Sequence, residues 1–216
     1  MNRPCLRLAA LLLPLALASC SVLVGQQRDP VSIYAPQAAA QPDPSWPQAD
    51  WQLTIAPPTG TRHVDGTRIG VRPVPGELQV YRGAAWAQPS TDMVESSVLR
   101  VLEESGKLAG VGRLATGLRA DYRLLMDVRR FESDYRGGSV PAATIEISAT
   151  LLGNRDQRSV ARRTFTQVQP AAATDVASVA HAFDQALAAI SADIAGWTLV
   201  QGQADRQARL PKPMTP

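Results

Sequence analysis

Cysteine is scarce in this chain, since its 216 residues include only Cys5 and Cys20. If the first 19 residues are removed, as the N-terminal pattern described below indicates, Cys20 has no partner in the same chain. An intramolecular disulfide and a cysteine-based metal cluster are then excluded from the remaining protein. A small fold held together by disulfides is therefore not expected.

Residues suited to acid–base or nucleophilic catalysis are also few. Histidine occurs twice: His63 lies in a polar loop beside Asp65, and His181 lies next to the apolar stripe of a helix. No serine stands in a Gly-x-Ser-x-Gly motif. We therefore expect no catalytic residue, no cofactor and no metal site. An envelope hydrolase that uses His63, His181 and nearby acids is the alternative.

Two other patterns lack features that a chemical site would need. Glu103 and Glu104 are consecutive on a predicted helix, where neighbouring side chains point apart, so they indicate a solvated helix face. The stretch Gly110-Val111-Gly112 lacks the lysine and the further glycines of a phosphate-binding loop. Neither pattern predicts a nucleotide site.

The charge of the chain is nearly balanced. It has 22 Lys and Arg against 19 Asp and Glu, and loss of Arg3 and Arg7 with the first 19 residues leaves 20 against 19. In the remaining sequence, basic residues are adjacent only at Arg129-Arg130 and Arg162-Arg163, both in strand-like segments. A nucleic-acid-binding protein would show a clustered basic face, so no nucleic-acid partner is expected.

The N-terminus has the layout of a secretory signal peptide. Arg3 and Arg7 precede an apolar stretch, Leu8 to Leu17, that is too short to span a bilayer. Small residues then lead to a cysteine in Leu17-Ala18-Ser19-Cys20. An ordinary signal peptide cut after Ala18 or Ser19 is one interpretation of this pattern.

The same four residues resemble the lipobox of bacterial lipoproteins. That resemblance implies cleavage before Cys20 and attachment of two or three acyl chains to it. Each buried CH₂ contributes about 0.8 kcal/mol, so more than one chain gives a lasting anchor. Ser21 stands where an Asp would retain an enterobacterial lipoprotein in the inner membrane, so the resemblance implies export to the outer membrane, facing the periplasm.

Composition divides the chain into four parts. Residues 1–19 form the predicted signal peptide, and residues 20–50 form an acylated, Pro/Ala/Gln-rich tether. Residues 51–200 form one folded domain, and residues 201–216 are expected to be a flexible tail. About thirty tether residues could reach roughly 90–100 Å when fully extended.

Alternating and helical patterns predict an α+β fold. Strands are expected at residues 51–55, 68–74, 78–82, 121–132, 143–151 and 159–168. A helix over 91–105, capped by Ser90 or Thr91 and ended by Gly106, and a longer one beginning at Thr174-Asp175 are amphipathic. We therefore expect a mostly antiparallel sheet of about five to six strands with both helices on one face.

Arg82 and Trp86 are candidate partner-binding residues. Arginine and tryptophan are enriched at protein interfaces, and the two lie close together near the end of a predicted strand. The alternative for Trp86 is packing in the core or over the sheet edge.

From about Trp51 to Trp197 the sequence resembles the ABC-type transport auxiliary lipoprotein family, which includes the paraquat-inducible lipoprotein C group. The resemblance rests on the order and spacing of several short stretches together with the lipobox: Ile69-Gly70-Val71-Arg72-Pro73, Pro75-Gly76-Glu77-Leu78, Arg82 with Ala85-Trp86-Ala87, Ala120 to Leu124 leading into Val128 to Glu132, and Ala182-Phe183 with Ala186-Leu187 ending at Gly196-Trp197.

That resemblance implies a noncatalytic component in the envelope of a Gram-negative bacterium. Its implied partners are an MCE-domain protein, a permease and an ATPase that together move lipids between the two membranes. It implies no catalytic or lipid-binding residue that can be assigned. A homo-oligomer would suit a ring-shaped partner. The alternative is a carrier that binds a lipid between the helices and the sheet.

The lipobox generates a direct prediction for Cys20. A Cys20→Ala variant is expected to carry no acyl chains and to leave the membrane fraction, whereas Cys5→Ala, which removes the other cysteine, is expected to stay acylated. Mass spectrometry of the mature N-terminal peptide and membrane fractionation measure both. Acyl-free native protein would contradict the lipobox interpretation.

Overall fold

Nine β-strands in one sheet and two α-helices form the part of the chain that the structure, a computed structural model, describes: residues 30–38 and 40–210. The strands are β1 (Ser32–Tyr34), β2 (Gln52–Ile55), β3 (Thr59–Gly60), β4 (Arg68–Arg72), β5 (Gln79–Trp86), β6 (Gly110–Arg113), β7 (Tyr122–Asp134), β8 (Ala142–Gly153) and β9 (Ser159–Pro170). The helices are α1 (Ser90–Ser105) and α2 (Val176–Ala208), and a 3-10 turn at Leu114–Thr116 follows β6.

The long strand β7 has different neighbours on its two edges. On one edge it pairs antiparallel with β8 along its whole length, and β8 pairs antiparallel with β9. This meander confirms the prediction made from the alternation of residues 121–168. On the other edge β2, β3 and β4 pair with successive parts of β7, and all three run parallel to it.

The sheet is therefore mixed rather than purely antiparallel, and its two longest ladders, β7 with β8 and β8 with β9, are antiparallel as expected. The chain passes through helix α1 between β4 and β7, and such a crossover returns the chain in the parallel direction. Two more parallel pairs, β1 with β5 and β2 with β6, extend this part of the sheet. The α+β class and the placement of both helices on one face are confirmed.

The core lies between the sheet and the two helices. The inward side chains of β7 are Leu124, Met126 and Val128, and all three are buried. A register shift between Val128 and Arg130 then interrupts the alternation, so that Phe131 takes the next inward position. Helix α2 covers this face with a stripe of fully buried residues, which are Phe183, Leu187, Ile190 and Ile194.

Helix α1 begins differently from the prediction. Pro89 is its N-cap, and the cap makes no side-chain hydrogen bond. The hydroxyls of Ser90 and Thr91 instead donate to the Val64 carbonyl and, over 2.6 Å, to Asp65 Oδ1, which fastens the preceding loop to the helix. At the other end Gly106 adopts the left-handed conformation (φ 59°), as predicted for the C-cap.

Helix α2 begins as expected and ends later. The side chain of Asp175 accepts a hydrogen bond from Ser178 N over 2.9 Å and caps the first turn. The helix then continues to Ala208, so residues 201–208 belong to it and not to a tail. No helix among the described residues is long and apolar enough to cross a membrane.

Residues 31–50, predicted as tether, contain ordered contacts with the domain. They include strand β1 and three buried alanines, Ala38, Ala40 and Ala49. Trp46 packs against Gly196 of α2, where a Cβ added to the glycine would lie 2.7 Å from the indole Nε1. Cys20, the signal peptide and residues 20–29 of the predicted tether lie outside the described residues.

The close contact between Gly202 and Trp51 predicts a large effect of a small substitution. A Cβ at Gly202 would lie 2.5 Å from Cζ2 of the fully buried Trp51. Gly202→Ala should therefore lower the free energy of unfolding by about 1–3 kcal/mol through overpacking, although alanine is the better helix former. Gly110→Ala, whose Cβ meets nothing closer than 3.5 Å, is the control in urea denaturation. Equal or higher stability of Gly202→Ala would contradict this packing.

Candidate docking face of the sheet

The sheet face opposite the helices carries polar and charged side chains in rows across three strands. Register places Leu125 of β7 beside Thr150 of β8, which pairs with Arg162 of β9. The next row contains Asp127, Ser148 and Thr164. We call this surface, made by the outward side chains of β7, β8 and β9, the outer face.

Hydrogen bonds and ion pairs fix several of these side chains. Thr59 Oγ1 donates to Asp127 Oδ1 over 3.1 Å, and Arg162 Nε donates to Ser148 Oγ over 3.3 Å. Arg129 lies 3.5 Å from Asp127 and 3.7 Å from Glu146, and its side chain is 41% exposed. These partly exposed pairs contribute little to stability, so their guanidinium and carboxylate groups can exchange partners at low cost.

A cavity of about 300 Å³ opens on the outer face. Its lining combines hydroxyls, one carboxylate, one guanidinium, the apolar side chain of Leu125 and a proline with Met126, whose side chain points into the core: Pro57, Thr59, Leu125, Met126, Asp127, Ser148, Thr150 and Arg162. Such a mixture suits hydrogen bonding to a protein surface, because both donors and acceptors are available next to apolar contacts.

At one end of the outer face, Glu132 binds two arginines. Arg72 donates from Nε and Nη2 to the two carboxylate oxygens, over 2.9 and 3.0 Å, and Arg130 donates twice to Oε1, over 2.8 and 2.7 Å. Arg130 also donates to Asp134 over 2.6 Å. Burial alone would raise the pKa of Glu132, but the hydrogen bonds from Arg72 and Arg130 outweigh it and hold that pKa below its usual range.

This network was not predicted, although the sequence contains a signal for it. Arg130, Glu132 and Asp134 alternate along β7 and so share one face. Arg72 could not be added from sequence, because it reaches Glu132 through the parallel pairing of β4 with β7.

The two predicted partner-binding residues differ in exposure. Arg82 is exposed on β5. Trp86, at the end of the same strand, is 2% exposed and packs edge-to-face on Phe131 and Phe183, with ring centroids 6.0 and 5.1 Å away. Trp86 therefore packs in the core, which was the alternative to partner binding. Direct contact with a partner would require its side chain to leave the core.

The structure does not join the histidines into a catalytic group. Asp65 accepts its hydrogen bond from Thr91, while the ring of His63 lies against the backbone of Gly70. His181 is exposed on α2, with its Nε2 3.3 Å from the side-chain nitrogen of Gln185. Within residues 30–38 and 40–210, no group of three histidine, cysteine or acidic side chains is placed to hold a metal ion.

At the opposite end of the sheet, a second charged cluster fastens the last turns of α2. Tyr122 Oη donates to Asp205 over 3.0 Å, Arg209 Nε lies 2.8 Å from the same carboxylate, and Arg158 also pairs with it. Burial and then the hydrogen bond to Asp205 raise the pKa of Tyr122 to about 12. A neighbouring cavity of about 150 Å³ includes Arg209, whose charge is matched by Asp205.

A model of the ABC-type transport auxiliary lipoprotein component family matches residues 32–195. The chain belongs to this family. The matched segment includes all nine strands, α1 and most of α2. It also includes residues 32–50, in agreement with the packing of that segment on the domain.

A crystal structure of a Xanthomonas campestris protein of the DUF330 family is 56% identical to this chain, with a TM-score of 0.80, and the match covers 82% of this chain and 99% of that one. A second crystal structure, of an uncharacterized protein, has 16% identity and a TM-score of 0.59 over 77% of this chain and 97% of that one, and so shares the fold. An uncharacterized protein of Bradyrhizobium diazoefficiens is 26% identical over 148 residues, which are 68% of this chain but 39% of that protein. The chain thus spans about two fifths of that curated relative.

The Glu132 network predicts a pH-dependent loss of stability on mutation. Glu132→Gln leaves two arginines without their shared carboxylate, so the free energy of unfolding should fall by about 3 kcal/mol near neutral pH. Because the pKa of Glu132 is depressed in the folded state, this contribution is present above its ordinary pKa of 4.5 and is lost as the pH falls through the folded-state value.

Urea denaturation at several pH values measures this difference, and Glu104→Gln, at an exposed position of α1, is the matched control. The control should change stability by no more than about 0.5 kcal/mol. A difference between native protein and Glu132→Gln that stays constant from neutral to acidic pH would contradict the role assigned to the carboxylate.

Proposed function

We propose that this chain is a noncatalytic docking subunit of an ABC transport system that moves lipids between the inner and outer membranes. Acyl chains on Cys20 hold it at the outer membrane, and an MCE-domain protein, a permease and an ATPase are its partners. Membership of the ABC-type transport auxiliary lipoprotein family carries the proposal. A lipoprotein family also indicates a location in the cell envelope.

The outer face supports the docking part of the proposal. It lies away from both helices and carries arginines and carboxylates that are partly exposed and weakly paired, such as Arg129 with Asp127 and Glu146. Complementary charge on a partner would steer association and fix its register. Glu132 and its two arginines give this surface a rigid end, because the hydrogen bonds from Arg72 to Glu132 join β4 to β7.

The packing between the two helices argues against a lipid held there; a more open cavity of about 430 Å³ lies elsewhere, between α1 and β6. The cavity between the helices, bounded by α1, α2 and the segment around Pro36, measures about 30 Å³. That is close to the space of a single water molecule and far too small for an acyl chain. The large side chains of α2, among them Phe183 and Leu187, fill the space against the sheet.

Site-specific crosslinking in cells tests the docking face. Benzoylphenylalanine is placed at position 129 on the outer face or at position 104 on the exposed side of α1, in cells that express the complete transport system. The residue at 129 should capture the MCE-domain protein, and the one at 104 should capture several-fold less. Both variants must first be shown to remain acylated and folded.

Two results would overturn the proposal in different ways. If position 129 captured no transport protein in cells where the permease and ATPase are themselves captured together, the chain would not dock through this face. If positions 104 and 129 captured the same proteins equally well, the outer face would have no special role.

A further inference from the structure

One end of the sheet is formed by two turns that lie against each other. The β4–β5 turn covers residues 73–78 and the β7–β8 turn covers residues 135–141. Tyr135 N donates to the carbonyl of Arg72 over 3.1 Å and joins the two. We call this end of the molecule, with the adjoining first residues of β5, the turn end.

Exposed apolar side chains concentrate at the turn end. Val74 is 50% exposed and Leu78 is 40% exposed on one turn, Val80 follows on β5, and Val140 is exposed on the other turn. Exposed turns usually carry polar residues, so large apolar side chains are unusual there. A group of them marks a contact surface. Neither proposed partner contact, at the outer face or at Arg82, includes them.

The described domain begins on the strand that borders β5. Strand β1 runs parallel to β5, with Ser32 opposite Ala84, so Val31 continues from Ser32 in the direction of the start of β5. Val31 is 54% exposed and Ile33, opposite Ala85, is 61% exposed, so this edge strand adds apolar surface to the same side of the sheet edge. The first residue of the domain therefore lies on the strand next to β5, which itself begins at the turn end.

The distance to the anchor is short. Because residues 31–50 pack on the domain, only eleven residue steps separate Cys20 from Val31. Eleven residues span at most about 40 Å, less than half of the reach expected for the whole tether. An acyl group fixed in a bilayer at Cys20 would therefore keep the start of β1 within about 40 Å of that bilayer.

The charges of the turn end are compatible with lipid headgroups. Residues 72–82 and 130–136 contain four arginines and three carboxylates, and two of those carboxylates are neutralised within the Glu132 network. Arg82 and Arg136 are exposed, and long arginine side chains reach headgroup phosphates while their stems stay in apolar surroundings. Tyr135, half-buried beside them, is of a residue type enriched at membrane interfaces.

We infer that the turn end is a membrane-contact surface that inserts Val74, Leu78 and their apolar neighbours into the headgroup region of the bilayer that holds Cys20. The inference deepens the proposed function and rests on it for the anchor. With the turn end against the lipid, the domain has a single orientation on the membrane. The outer face is then accessible to a partner at the side of the domain.

Depth measurements with a fluorescent label test this inference. Leu78→Cys at the turn end, or Val200→Cys at an exposed apolar position near the other end of the sheet, is labelled with nitrobenzoxadiazole in the processed protein, which begins at Cys20. The protein is reconstituted in vesicles of phosphatidylethanolamine and phosphatidylglycerol with or without lipids that carry a nitroxide on the acyl chain. Quenching at position 78 should exceed quenching at position 200 at least threefold.

The mass of the N-terminal peptide, measured on the same samples, separates this inference from the anchor. Acylated protein with equal quenching at positions 78 and 200 overturns the membrane contact and leaves the anchor intact. Protein without acyl chains that still shows selective quenching at position 78 supports the contact and contradicts the anchor. A label at 78 that is shielded in cells but unquenched in vesicles that contain no other protein assigns the turn end to a protein partner and overturns the inference.

Discussion

The register shift in β7 between Val128 and Arg130 determines what each face of the sheet carries. Before the shift, Leu124, Met126 and Val128 point inward. Without it, strict alternation would send Arg130 into the core and Phe131 to the outer face. With it, Phe131 stacks on Phe183, their ring centroids 4.8 Å apart, and Glu132 lies outside between two arginines. The core and the charged network therefore depend on the same irregularity.

Regular, local patterns were sufficient to predict the longer strands and both helices of this architecture. The alternation of β8 and the apolar stripe of α2 are each set by one buried face, so they appear directly in the sequence. Strands β1 and β3 have three and two residues, too few for alternation to show, and two of the four residues of β6 are glycines. Parallel pairing on β7 is a property of the crossover through α1 and has no local signature.

Predictions from neighbouring residues were wrong where residues distant in sequence bind the same side chains. Ser90 and Thr91 are good caps, yet their hydroxyls bond to the loop at Val64 and Asp65, because that loop is brought against the helix. The polar end of α2 suggested a tail, but Asp205 is held by Tyr122 and by arginines that are distant in sequence or one turn away. Trp86 is the same kind of case, since its burial depends on Phe131 and Phe183.

The packing of residues 31–50 changes what an anchor at Cys20 can do. A free tether of thirty residues would let the domain take any orientation and sit far from the lipid. A connection of eleven residues would instead limit how far the domain can stand from an anchor at Cys20. A docking subunit would gain from that restriction, because a domain confined to a smaller volume loses less translational freedom when a partner binds. The buried alanines at positions 38, 40 and 49 and the Trp46–Gly196 contact thus determine how much of the chain is left to act as a tether.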